Sequence, residues 1–150
     1  MIRYRVLAVC AAVLTISAGC DEKLSDITGP TPNLEPTLSS IQSNIFSNTD
    51  SSGRLACIGC HSDQGRIPTG PNLVLLEGRS YQNLVGRASS GKPGETLVIP
   101  GDPDNSYMVK KLEAAPDIVG QRMPRNNGPF LTEGQMLVIR KWIQDGAPNN

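Results

Sequence analysis

Beyond the first 36 positions, apolar residues recur at intervals of three and four, and alternating apolar–polar runs are scarce. That spacing predicts helices joined by loops rather than a sheet. Leu38, Ile41 and Ile45 share one helical face, with Phe46 beside them. Turn-forming residues at 48–53 interrupt the pattern. Positions 54–61 predict a further short helix, and 80–85 a helical turn with Tyr81, Leu84 and Val85 inward. Residues 91–103 are rich in Gly and Pro and read as loop, while 105–112 read as helix with Tyr107, Met108 and Leu112 apolar. The last helix opens at Thr132. Thr132 and Gln135 have the spacing of a capping box, in which each side chain satisfies an orphan backbone N–H. Met136, Ile139 and Ile143 mark its inner face, with Trp142 next to them. Asp145-Gly146 closes it, since glycine readily takes the left-handed turn after a helix. The fold class expected is mainly α, a small helical domain with long loops.

The front of the chain follows different rules. Met-Ile-Arg-Tyr-Arg precedes an apolar run over 6–16, then Ser17-Ala18-Gly19-Cys20. A basic start, a short apolar run and small residues form an export signal. The run is shorter than the roughly 20 apolar residues of a spanning helix. Small residues leading into Cys20 resemble the lipobox of bacterial lipoproteins, although Ser17 stands where leucine is usual. The expected organisation is a lipoprotein-type signal peptide over 1–19, acylation at Cys20, a Pro-rich tether over 20–36, and one domain over 37–150. Polar sequence carrying Pro30, Pro32 and Pro36 favours extended chain over a packed core. With Arg3 and Arg5 removed, the mature part has two more acidic than basic residues. A near-neutral domain of this kind gives no case for nucleic-acid binding, which needs a basic face.

The chain has four cysteines and one histidine. Cys10 lies in the signal and Cys20 is the lipidation candidate, which leaves Cys57 and Cys60. Cys57-Ile58-Gly59-Cys60-His61 is the signature of c-type haem attachment. Positions i, i+3 and i+4 of a helical turn share a face. Two thiols on that face reach the two vinyl groups of one porphyrin while the imidazole reaches the iron. Gly59 offers no side chain against the ring. A zinc site needs four ligands, typically two Cys pairs or Cys and His pairs, and no second set exists. A redox-active Cys pair belongs at a helix start in a βαβ pattern, which is not visible.

With His61 the only histidine, a second axial ligand must be another residue type. Methionine is the common partner of histidine on haem iron and raises its potential. Met108 and Met136 lie among apolar neighbours on helices, where methionine is usually core filling. Met123 stands in the polar loop Gln121-Arg122-Met123-Pro124-Arg125, where packing gives it no reason to be. Met123 is therefore the expected ligand. The alternative is that it caps the haem edge and leaves the sixth position open to a small ligand.

These residues resemble the class I bacterial cytochrome c domain, and more narrowly the short exported haem domains of the planctomycete-type cytochrome c group. The matching stretches are Ile45-Phe46, the Cys57–His61 motif with Ser62, Tyr81-Gln82-Asn83-Leu84-Val85, and the run from Pro100 to Leu112. Arg122-Met123-Pro124 and the segment from Leu131 to Ala147 complete them. The resemblance implies one covalent haem c, an electron carrier rather than an enzyme, redox donor and acceptor proteins as partners, and a place on the periplasmic side of the envelope. Attachment of such haem outside the cytoplasm agrees with the export signal. It carries the distal ligand onto Met123 and implies that the first and last helices cross near Phe46 and Trp142. Thr69-Gly70-Pro71-Asn72-Leu73 resembles the loop whose Pro carbonyl accepts a hydrogen bond from the proximal imidazole, which points to Pro71. The polar stretch 48–54 departs from the pattern and suggests an inserted loop. Lys110, Lys111, Arg122 and Arg125 are candidates for a docking patch, and a haem subunit of a larger oxidoreductase is an alternative role.

Overall fold

A computed structural model describes residues 33–63, 73–125 and 128–150 of the chain. The signal peptide, Cys20, most of the tether and Pro71 lie outside the described residues. The described chain is mainly helical. It forms no strand; residues 85–102 carry only isolated bridges, Val85 with Val98, Ala88 with Thr96 and Ile99 with Asp102.

Helix α1 (Leu38–Ile41) runs directly into a π-helical turn, Gln42–Phe46. Thr37 caps its start, its hydroxyl accepting from the Ser40 amide at 3.2 Å. The chain end caps it too: Asn150 accepts from the amides of Leu38 and Ser39, each at 2.9 Å. The Ser47 amide donates to the Gln42 carbonyl at 2.8 Å, a bond five residues long that widens the turn. Leu38, Ile41, Ile45 and Phe46 are all buried, as their spacing predicts. The packed core also takes in Leu34, within the segment expected as tether.

Helix α2 (Ser80–Leu84) buries Leu84, with Tyr81 and Val85 packed at the edge of the core. Helix α3 (Tyr107–Glu113) buries Tyr107, Met108 and Val109 and starts two residues later than the sequence suggests. The delay has a cause. The hydroxyl of buried Ser106 donates to the Asp102 carbonyl at 2.7 Å and accepts from the Ile99 amide at 2.9 Å. Ser106 is thus held in the preceding turn, outside the helix.

Helix α4 (Glu133–Gln144) is the longest element. Both halves of the expected capping box are present, Thr132 Oγ1 accepting from the Gln135 amide at 3.2 Å and Gln135 Oε1 from the Thr132 amide at 3.0 Å. Met136, Ile139, Trp142 and Ile143 face inward, and α1 packs against α4. Gly146 takes the left-handed turn at φ +94°. The Trp142 indole N–H donates to the Pro148 carbonyl at 2.9 Å, tying the chain end to the helix that it follows. Thr132→Ala is expected to cost about 1 kcal/mol, the usual loss of an N-cap; a shift in denaturant midpoint checks it.

Candidate functional site

The Cys-x-x-Cys-His segment is a single 3-10 turn, Cys57–Gly59, rather than a helix over 54–61. The amides of Cys60 and His61 both donate to the Cys57 carbonyl, at 3.1 and 2.8 Å, so one tight turn brings the three side chains together. Cys57 and Cys60 are free thiols, Cys57 half-buried and Cys60 exposed. The Cys57 thiol donates to the Ile45 carbonyl at 3.6 Å. Burial pushes this thiol up from its ordinary pKa, against the pull of nearby Arg54. A Cβ added at Gly59 would meet no protein atom within 4 Å, so the protein's own packing does not require glycine there.

Ala56, with ψ 136°, is extended just before the turn, and the segment ahead of it is organised by Arg54, a residue that the periodicity did not single out. Its side chain is 0% exposed. Nε pairs with Asp50 at 3.0 Å. One terminal nitrogen donates to the carbonyls of Ile45 and Leu55, at 3.1 and 3.2 Å. The other donates to those of Asn44 and Asn48, each at 3.4 Å. Carbonyls at the open end of the π turn need donors, and the guanidinium fork supplies them. The Ile45 carbonyl receives both Arg54 and Cys57. The polar stretch 48–54 is therefore a clamp that joins the π turn to the cysteine turn. A lone Arg among Ser and Gly reads as solvated; the one signal in the sequence is Asp50 four residues earlier.

His61 is half-buried. Its amide carbonyl accepts from Leu75 at 2.8 Å. Burial holds the imidazole below its ordinary pKa, opposed by a hydrogen bond to the Leu73 backbone. The ring is therefore neutral near pH 7, the form that ligates a metal. Pro71, expected as its carbonyl partner, lies outside the described residues.

The loop bearing Met123 is fastened to α3. The Met123 amide donates to the Lys111 carbonyl at 2.9 Å. Arg122 Nε donates to the Leu112 carbonyl at 2.6 Å, and its guanidinium lies 4.0 Å from the Phe130 ring centre. Lys111 donates to the Val119 carbonyl at 2.9 Å and also to that of Gln121. Lys110 pairs with Glu95 at 3.2 Å and Asp117 at 3.5 Å. Of the four basic residues considered for a docking patch, Lys110, Lys111 and Arg122 are thus engaged within the fold.

Cys57, Cys60, His61 and Met123 all line one cleft, with Ile45, Phe46, Leu75, Leu131 and Ile139 among its apolar walls. The cleft encloses about 910 Å³ of empty space, open mouth included. Met108 also reaches it, although only 8% exposed, whereas Met136 is buried in the core and is not in its lining. A second cleft shares His61, Leu73, Met108, Met123 and Arg125 with the first and continues it toward polar residues. Among the described residues, no three His, Cys, Asp or Glu side chains converge on a point as a metal-binding cluster. No family model, curated protein or solved structure matches this chain.

Proposed function

We propose that this protein is a single-haem c-type cytochrome that carries electrons at the bacterial cell envelope. The observation that carries this is the common cleft: Cys57, Cys60 and His61 come from one turn, Met123 from a loop 62 residues beyond His61, and all four line it. The donor set fits haem c. Two free thiols are available for thioether bonds, a neutral imidazole and a thioether sulfur for the iron, and the walls are apolar. Bound there, haem would supply a one-electron Fe(III)/Fe(II) couple.

The chain's own residues would do the rest. Cys57 and Cys60 would hold the porphyrin covalently, so a small domain need not retain it by packing alone. His61, whose imidazole lies beside the Leu73 backbone, would be one protein ligand of the iron. Such outer contacts fix ring orientation and tune the metal. Met123 would be the second protein ligand of the iron, its loop held by the bonds of Arg122 and Lys111 to neighbouring carbonyls. Ile45, Phe46 and Ile139 would exclude water and favour the less charged iron state. The domain would be a small class I cytochrome c-like helical fold wrapped around the group. It would be lipid-anchored at Cys20 on the periplasmic side and serve redox proteins as donor and acceptor.

The test is expression with the leader in a host that attaches haem outside the cytoplasm. The polypeptide should keep its haem through a denaturing gel, and the Cys57→Ala/Cys60→Ala double variant should lose it. A parent chain that emerges without covalent haem would overturn the proposal.

A further inference from the structure

Most basic side chains of the described residues are engaged within the fold. Arg54 pairs with Asp50, Arg79 with Asp63, Lys92 and Lys110 with Glu95 and Asp117, Arg140 with Asp104 and Glu113, and Lys141 with Asp145. Lys111 and Arg122 donate to backbone carbonyls. Arg87 and Arg125 are the exceptions: among the described residues, neither side chain has a hydrogen bond or an ion pair. They stand far apart in sequence, on the turn after α2 and on the methionine loop. Both line the second cleft. Two cations with no partner among the described residues thus line one cavity, which continues the cleft of His61 and Met123.

The two clefts differ in chemistry. Cys57 and Cys60 line only the first, which is apolar. Arg87, Ser89, Ser90 and Lys111 line only the second. Haem has the same asymmetry: its vinyl groups lie along one edge and its two carboxylates at the opposite edge. If the cysteines fix the vinyl edge in the first cleft, the carboxylate edge points away from them, into the second.

We propose that Arg87 and Arg125 are the counterions of the two haem carboxylates. This rests on the function proposed above and adds the orientation of the group in its cleft. A guanidinium suits the task because its planar fork matches a carboxylate in two parallel hydrogen bonds. The two arginines also place positive charge beside the iron site, which disfavours the more positive Fe(III) state. They are positioning residues, and their effect should be read in the potential.

The experiment is a redox titration of the haem-loaded full chain. Arg87→Gln and Arg125→Gln should each lower the midpoint. Together they should raise the Fe(III)/Fe(II) ratio at fixed poise about tenfold, a shift of ~59 mV for one electron. Both residues are exposed, so the variants should fold as the parent does, and the midpoint is read on the haem-loaded fraction of each. Arg140→Gln, at a position that lines neither cleft, serves as control for net charge. An unchanged midpoint in the double variant would overturn the inference, as would an equal shift from Arg140→Gln. A third outcome also overturns it: a parent midpoint that moves with inorganic phosphate at constant ionic strength would show arginines open to free anions. If the parent chain takes up no haem, the proposed function itself fails, and that result is read before any titration.

Discussion

Arg54→Met should destabilise the domain by about 3–5 kcal/mol, the usual cost of breaking a buried ion pair from one side. Methionine approximates the aliphatic stem but donates nothing. Four carbonyls would lose their guanidinium donors, and Asp50, whose side chain is only 5% exposed, would lose its counter-charge. Against a total of roughly 5–15 kcal/mol for a typical domain, that loss is large. Denaturant unfolding of the haem-free chain measures it. Because the Ile45 carbonyl also meets Cys57, the cysteine turn should loosen with it, and haem attachment should fall more than in the Thr132→Ala variant. Equal stability of parent and Arg54→Met chains would mean that the clamp is incidental.

The same pair makes a pH prediction. Burial pushes the Asp50 carboxyl up, but the Ser52 hydroxyl, the Arg54 charge and backbone, and Gln135 together hold it below its ordinary pKa. A carboxyl whose folded pKa is depressed binds fewer protons in the folded state. Its contribution is therefore present above the unfolded pKa of about 4 and is lost as pH falls through the lower folded value. Asp50→Asn should flatten this part of the acid unfolding curve. The variant should be less stable than the parent at pH 7 and closer to it once the pH has fallen below the depressed folded pKa of Asp50.

Met123→Ala should abolish the weak red absorption band that marks an iron–methionine bond in the oxidised protein. It should also lower the potential, because histidine–methionine ligation raises it. The reduced variant should bind carbon monoxide rapidly, with the sixth position open. Met136→Ala should keep the band and lose about 2–5 kcal/mol of stability, as large-to-small changes in a core do. Met108 is the informative rival, since its side chain reaches the same cleft from α3. Met108 is 8% exposed and belongs to the core cluster, so Met108→Ala should behave like Met136→Ala. A band that vanishes with Met108→Ala and survives Met123→Ala would reassign the ligand.

Several features were legible before any coordinates. The Thr132/Gln135 capping box, the inner face of α4 and the burial of Leu38, Ile41, Ile45 and Phe46 depend on neighbours a few residues apart, and such patterns survive in one dimension. The same holds for Cys57, Cys60 and His61, whose spacing fits a single turn. Elements whose ends depend on distant groups were harder to read. The segment 54–61 read as helix because its residues permit one, yet Arg54 is drawn to carbonyls of the preceding turn and the helix shrinks to Cys57–Gly59. Lys110, Lys111 and Arg122 read as free surface charge, but their partners are carboxylates and carbonyls that other loops bring near.

The sequence by itself determined a mainly helical chain, the cysteine–histidine turn as a candidate haem site, and Met123 as the methionine without a packing role. Each follows from local spacing or local chemistry. Only the tertiary structure decided that Met123 shares a cleft with His61, that Met108 reaches it too, and that Arg87 and Arg125 both line the cleft beside it. Those facts concern residues far apart in sequence, and no periodicity encodes the distance between them. The physical reason is that backbone hydrogen bonds and apolar spacing act over a few residues, whereas a cleft is what remains open after distant side chains have packed.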